Sequence, residues 1–254
     1  MAERIVRAVQ PLQLILFGSH ARGDAHPWSD VDFLVVMGNG EDTERVWDEA
    51  RDALSGSEMP YDVAVTSLNA LRRYGALVGM IYRPALREGK VLYDAAAPSR
   101  WDRVGRSVTL EVDPVSDADR LAQTRRWLRQ ARGELRTAEL VAQTPDQDPS
   151  PACYLAQQAA EKALKAVLVF LQIQYPLTHE LDTIRRGIPA GWSVREEFRN
   201  LKKLSNWSFK ARYPGGWRRP SRRDAAEAVR LARAIYETVL RDLTAYGFRQ
   251  RDSR

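Results

Sequence analysis

Cysteine, histidine and long apolar runs are scarce in this 254-residue sequence. The single cysteine, Cys153, excludes an internal disulfide framework and has no cysteine or histidine neighbours at the spacing of a zinc site. No stretch approaches the roughly 18 to 20 apolar residues that span a bilayer, and residues 1–4 do not begin a signal-peptide pattern. We therefore expect a cytoplasmic protein with no membrane partner.

Acidic residues are in the minority, and they are unevenly distributed. Residues 1–95 carry 10 Lys and Arg against 14 Asp and Glu, whereas residues 96–254 carry 29 against 19. A basic second half attracts nucleotides, RNA or an acidic partner surface by long-range steering, although solubility alone also explains a modest excess.

The first half alternates short apolar runs with a helical pattern. Residues 12–17, 31–37 and 61–65 are predicted strands, residues 43–54 have helical spacing, and residues 90–93 form a final short element. This alternation is typical of a small α/β unit with a mixed sheet.

From Asp117 onward the apolar spacing becomes helical. We predict long helices over residues 117–140, 152–172 and 221–245, and a further helical segment at 195–204, which together form an antiparallel bundle. The predicted fold class is α+β, with a sheet domain at 1–97, a linker at 98–116 and a helical bundle at 117–254.

The most informative pattern combines a Gly-Ser turn with two aspartates. Gly18 and Ser19 follow the first predicted strand, where a missing side chain lets backbone N–H groups approach phosphate and a hydroxyl adds a donor. Asp30 and Asp32 lie two residues apart at the start of the second strand, so their carboxylates point to the same face. Such a pair is costly unless a cation neutralises it, and Mg²⁺ or Mn²⁺, which prefers oxygen ligands, would also bridge a triphosphate.

Three further residues complete this predicted site. Asp62 is an acidic residue inside an apolar strand, and its expected role is general base and metal ligand. Arg22 is placed to contact phosphate or to anchor a carboxylate. Ser29, which opens the Ser-Asp-x-Asp pattern, joins Gly18, Ser19 and Arg22 as a predicted nucleotide-binding residue. Acidic residues after Gly-Ser are common in loops, but the full order and spacing rarely arise by chance.

These motifs resemble the minimal nucleotidyltransferase (MNT) branch of the DNA polymerase β superfamily, whose pattern is Gly-Ser-x-x-Arg-Gly followed by Ser-Asp-x-Asp. The resemblance spans about residues 5–95. It implies that Gly18 and Ser19 bind the triphosphate, and that Asp30, Asp32 and Asp62 are the catalytic and metal-binding carboxylates.

The second half resembles a HEPN domain, an α-helical bundle that is often encoded beside or fused to such transferases. The resemblance rests on the Ala-rich segment 155–166, on Thr-His-Glu-Leu at 178–181 and on Arg-Tyr-Pro at 212–214. It implies a homo-oligomer, with a dimer favoured, and a toxin–antitoxin or defence role. Ribonuclease-active HEPN domains carry an Arg followed four to six residues later by a His. That pair is missing here, so we interpret His179 as a helix-start or packing residue and do not expect ribonuclease activity.

A basic and aromatic segment, residues 207–223, contains no acidic residue. Cations contact phosphate and aromatic faces stack on bases, so it is a candidate nucleotide or RNA contact, although a solvated loop with packed aromatics is the simpler interpretation. The candidate contacts are Lys210, Arg212, Tyr213, Arg218 and Arg219.

The sequence therefore predicts a metal-dependent enzyme that moves a nucleoside monophosphate, AMP from ATP by preference, to a hydroxyl acceptor on a protein or a small molecule. The alternative is a nucleotide- or RNA-binding regulator, or a toxin–antitoxin fusion, with little or no transferase turnover.

Overall fold

The structure is a computed structural model that describes residues 1–97, 105–210 and 216–249. The chain divides into two compact units, Met1–Ser116 and Asp117–Arg254. The first contains a mixed four-stranded sheet and the second is helical, which confirms the predicted α+β class.

The sheet of the first unit has the strand order β3-β2-β1-β4. β1 is antiparallel to both of its neighbours, whereas β2 and β3 are parallel. The three predicted strands are present, with small changes at their ends, and the final short element predicted at 90–93 is a fourth strand. The strands are β1 (Gln13–Phe17), β2 (Val31–Met37), β3 (Tyr61–Ser67) and β4 (Lys90–Asp94).

Helices cover both faces of this sheet because the apolar side chains of each strand alternate between them. Leu14 and Val35 join the core on one side, with Leu54 of a flanking helix, while Ile15 and Leu34 join a second core on the other. β2 is therefore almost continuously buried. The helices are α1 (Ala2–Val9), α2 (Gly18–Arg22), α3 (Thr43–Leu54), α4 (Leu68–Tyr74) and α5 (Tyr82–Glu88).

Residues 105–116, the described part of the expected linker at 98–116, lie against the first unit. Ser107 forms a bridge with Lys90 of β4, and the amide of Asp113 donates to the carbonyl of Arg72 at 2.9 Å. Val108 and Leu110 pack on the core that contains Ile15 and Leu34. This stretch therefore extends the sheet unit.

The second unit is built around one almost completely buried helix, α7, which contacts both α6 and α12. Alanine at many of its buried positions lets neighbouring helices approach closely. α12 starts with a capping box, in which Ser221 and Asp224 are bonded reciprocally. The helices are α6 (Asp117–Gln143), α7 (Ser150–Phe170), α8 (Leu181–Arg186), α9 (Ser193–Glu197), α10 (Lys202–Ser205), α11 (Trp207–Lys210) and α12 (Arg222–Ala245).

The prediction of one helical segment at 195–204 is wrong. α9 ends at Glu197, and the next residue, Phe198, has a φ of −106° and a ψ of 72°, outside the helical region. α10 starts only at Lys202. Asp182 of α8 accepts a hydrogen bond from the Leu201 amide at 2.9 Å, which fixes the extended connection. Within the described ranges, no helix is long and apolar enough to cross a membrane.

Candidate active site

The Gly-Ser turn lies directly against the Asp32 carboxylate. Gly18 begins α2 with a φ of +71°, a conformation that favours glycine. A Cβ atom at Gly18 would lie 2.0 Å from Asp32 Oδ2. Glycine is therefore required at this position for two reasons: the backbone has a positive φ, and the Asp32 carboxylate leaves no room for a Cβ atom. Ser19 is half-buried in the same turn.

Asp32 and Asp62 lie side by side on neighbouring parallel strands. They are register partners, and Asp32 is also paired with Phe17, the last residue before Gly18. Adjacent strands are separated by about 4.8 Å, and paired residues point to the same face of the sheet. Asp32 is half-buried, whereas Asp30 and Asp62 are exposed. The sheet thus brings Gly18, Asp32 and Asp62 together.

The acidic residues affect one another electrostatically. Burial raises the pKa of Asp32, and the charges of Asp62 and then Asp30 raise it further, against a smaller opposing effect of His20 and Arg22. Asp32 is thus a carboxylate whose negative charge is not balanced by the protein around it.

The donor set fits a hard divalent cation, because carboxylate oxygens are the ligands that Mg²⁺ and Mn²⁺ prefer. Across the described ranges, no three acidic, cysteine or histidine side chains are already grouped as a metal cage. The assignment of Asp30, Asp32 and Asp62 as metal ligands stays a prediction.

Ser29 and His20 hold the segment before β2 in place. The Ser29 hydroxyl accepts a hydrogen bond from the His26 amide at 2.9 Å, and the Ser29 amide donates to the His26 carbonyl. His20 Nε2 donates to the Ser29 carbonyl at 3.2 Å, which joins α2 to this turn. Sequence reasoning missed His20; its position directly after Gly18-Ser19 is the signal that could have identified it.

Arg22 is bound to two carboxylates. Its Nε donates to Asp24 at 3.1 Å and a terminal nitrogen donates to Glu88 of α5 at 2.7 Å. The hydrogen bond to Asp24 and the one to Glu88 raise the pKa of Arg22 despite partial burial. Of the two predicted roles, the structure contains the carboxylate anchor, and phosphate contact stays a prediction.

The predicted contacts of the second unit are partly described. Lys210 and Arg219 are exposed, whereas Arg218 donates to Asp224 at 2.8 Å and is thereby tied to the start of α12. Arg212 and Tyr213 lie outside the described residues.

A polar cluster inside the second unit was not predicted. Glu161 of α7, only 5% exposed, accepts hydrogen bonds from Lys165 (2.8 Å) and Gln157 (2.9 Å), and its Oε2 lies 3.0 Å from His179 Nδ1. Burial alone would raise the pKa of Glu161, but the Lys165 charge and these hydrogen bonds outweigh burial and lower it. The side chain of His179 is 58% exposed and bound to this cluster, and His179 precedes α8 by two residues. Of the two predicted roles, helix start and packing, the structure fits the first.

Comparison with known proteins gives two family matches. Residues 1–80 match the nucleotidyltransferase domain and residues 124–243 match the HEPN domain. No curated protein matches the chain. Among solved structures, TT1696 from Thermus thermophilus is 31% identical, with 48% of this chain and 98% of that chain covered and a TM-score of 0.43. The chain is a nucleotidyltransferase domain followed by a HEPN domain, as the sequence motifs predicted.

Proposed function

We propose that the first unit transfers a nucleoside monophosphate, AMP from ATP by preference, to a hydroxyl group on a protein or a small molecule. The observation that supports this proposal is the direct contact of the Gly18 turn with Asp32, beside Asp62 on the next strand. A phosphate-binding turn and an uncompensated acidic pair at one sheet edge are the two parts that nucleotidyl transfer needs.

In this proposal the turn binds the triphosphate. Backbone N–H groups at Gly18 and the Ser19 hydroxyl donate to phosphate oxygens, because the absent side chain leaves room for them. Ser29 shapes the turn beside these donors through its bonds with His26. Arg22 binds Asp24 through Nε and Glu88 through one terminal nitrogen, which joins α2 to α5. A guanidinium has five N–H donors, so those that these two bonds leave over can contact phosphate.

Asp30, Asp32 and Asp62 would hold Mg²⁺ or Mn²⁺. The cation, when bound, neutralises the carboxylates and stabilises the charge of the leaving pyrophosphate. Asp32 is the best placed of the three to be fixed in position, since it is half-buried and Gly18 restricts its carboxylate.

The chemical step is an in-line displacement at the α-phosphorus. The acceptor oxygen forms a new P–O bond while the bond between the α-phosphorus and the bridging oxygen to the β-phosphate breaks, and pyrophosphate leaves with that electron pair. Asp62 takes the proton of the acceptor hydroxyl, a role open to it because its side chain is exposed at the site.

Incubation with each α-³²P-labelled nucleoside triphosphate and Mg²⁺, with protein and small-molecule acceptors, tests the proposal. We expect pyrophosphate release and a labelled product, most strongly with ATP, and loss of both with EDTA. Asp32→Asn should lower turnover by at least about 100-fold, whereas the matched control Asp48→Asn, on the exposed face of α3, should retain it. Equal turnover of the two variants would contradict the proposal.

A second candidate function is nucleotide or RNA binding by the second unit. Lys210 and Arg219 are exposed, and Phe209, 54% exposed, lies 5.3 Å from the ring of Trp217. Basic and aromatic groups together favour single-stranded nucleic acid. RNA affinity that falls steeply with salt and survives an Asp30→Ala, Asp32→Ala double change would favour this function. A toxin–antitoxin or defence role and a dimeric state also stay proposals.

A further inference from the structure

Trp28 is a large aromatic side chain exposed beside the candidate active site. It is 77% exposed, although burying a tryptophan is among the largest apolar gains a protein can make. It lies two residues before Asp30, so the two Cα atoms are at most about 7 Å apart.

The segment around Trp28 is held in a defined conformation. The turn is closed by the two hydrogen bonds between His26 and Ser29, and His20 ties it to α2. The His26 ring stacks on Trp28 with centroids 5.7 Å apart and an angle of 17° between the planes. One face of the indole is thus supported by the protein, and the high exposure of the side chain leaves the other for a ligand.

We propose that the His26–Trp28 stack is the subsite that binds the base of the donor nucleotide, an inference that depends on the proposed function. A nucleotide whose phosphates lie at Gly18 and Asp32 places a planar ring one ribose away from them. Stacking suits this ring because every base has a π-face, whereas the acceptor needs only a hydroxyl group. An aromatic ring on the acceptor would use the same chemistry, and it is the competing occupant.

Comparing the affinities for ATP and for inorganic tripolyphosphate, both with Mg²⁺, separates the contribution of the base from that of the phosphates. Trp28→Ala should weaken ATP affinity about tenfold, because the stacking contact with the base is lost. It should leave tripolyphosphate affinity unchanged, and Trp28→Phe, which keeps a π-face, should restore ATP affinity to within about threefold. ATP should also quench tryptophan fluorescence in the unaltered protein more than in Trp28→Phe.

Tyr246→Ala is the matched control. It removes another half-exposed ring that is stacked on an aromatic neighbour, Trp192, with centroids 4.3 Å apart, and it should leave both affinities unchanged. Unaltered ATP affinity in Trp28→Ala would overturn the inference, and a raised KM for the acceptor alone would assign the stack to the acceptor. Equal loss of ATP and tripolyphosphate would also overturn it, since Trp28 would then only support the turn. If the unaltered protein binds neither ligand, the proposed function fails as well.

Discussion

Asp32 of the first unit is half-buried and Glu161 of the second is buried, and their surroundings shift the pKa values of these two carboxylates in opposite directions. Glu161 is surrounded by groups that favour its charge, namely Lys165, Gln157 and His179, and its pKa is lowered. Asp32 has two other acids as its strongest charged neighbours, and its pKa is raised. A buried carboxylate needs cationic or hydrogen-bonding partners if the fold is to be stable. A carboxylate without such partners is typical of a site where a bound ligand supplies the positive charge.

The largest expected effect comes from breaking the balanced cluster. Glu161→Ala leaves Lys165, which is 9% exposed, without its counter-ion and removes the nearer of the two acceptors of Gln157. We expect the free energy of unfolding of the second unit to fall by about 3–5 kcal/mol. Urea denaturation followed by far-ultraviolet circular dichroism measures this change in the helical transition.

An exposed ion pair of the same unit provides the control. Lys203 and Glu227 are 2.6 Å apart but well exposed, so Glu227→Ala should cost about 0–1 kcal/mol. A double change, Glu161→Leu with Lys165→Met, should recover much of the loss because no charge is left buried. If Glu161→Ala costs no more than Glu227→Ala, the cluster does not stabilise the fold.

The next largest effect on stability concerns the packing of Gly18 against the Asp32 carboxylate. Gly18 and Gly23 both have positive φ, +71° and +83°, but only a Cβ at Gly18 would meet another atom. Gly23→Ala should cost about 1–2 kcal/mol for backbone strain alone. Gly18→Ala should cost about 1–3 kcal/mol more, because its methyl group displaces the Asp32 carboxylate. Thermal unfolding measures the difference between the two variants.

Transferase turnover should also differ between the Gly18→Ala and Gly23→Ala variants. Transferase turnover should be lost in Gly18→Ala and kept in Gly23→Ala, since only the first substitution moves a carboxylate of the site. Retained turnover in Gly18→Ala would show that the close packing of Gly18 on Asp32 is not needed for function.

The sequence predicted the residues of the candidate active site, but it did not predict the polar cluster around Glu161. Gly18, Ser19, Asp30 and Asp32 form a local pattern whose spacing carries the chemistry, and Asp62 is conspicuous as an acid within an apolar strand. Strands and long helices were likewise predicted from periodicity. The pattern from Gly18 to Asp32 lies within fifteen residues, and the roles of these residues in binding and catalysis stay predictions.

The missed features depend on contacts between distant residues. Glu161 lies in an Ala-rich helix with charged neighbours and reads as a surface position, and its partner His179 is 18 residues away. The break between α9 and α10 depends on the bond from the Leu201 amide to Asp182, across 19 residues. Periodicity describes which face of a helix is apolar, but it does not say which polar residue a buried charge will meet.

Asp32→Asn should change the free energy of unfolding by a smaller amount than the substitutions above, and in the opposite direction. Asp32→Asn removes a partly buried charge from two acidic neighbours, so the first unit should gain about 0.5–2 kcal/mol while turnover falls. Asp48→Asn, on an exposed helical surface, should change stability by no more than about 0.5 kcal/mol. Calorimetric unfolding without divalent cations measures both variants, and a less stable Asp32→Asn protein would contradict the view that function costs stability here.

The smallest effect is a difference in how the two units respond to acid. The pKa of Glu161 is lowered from its ordinary value of 4.5, so its stabilising effect is complete above that value and is lost as the pH falls towards the folded-state pKa.

The pKa of Asp32 is raised from 3.8, so lowering the pH through the folded-state value relieves repulsion and stabilises the first unit. As the pH falls from neutral towards 3.8, in a cation-free buffer, we expect Asp32→Asn to lose part of its stability advantage over the unaltered protein, because protonation of Asp32 removes the same charge as the amide substitution. Glu161→Gln should respond differently. Its deficit in unfolding free energy should stay constant above about pH 4.5 and shrink only below that value, where the unfolded chain takes up a proton that the folded protein does not. Unfolding free energies of the three proteins at half-unit pH intervals test both statements, and parallel curves for Asp32→Asn and the unaltered protein would show that Asp32 is no more basic than an ordinary aspartate.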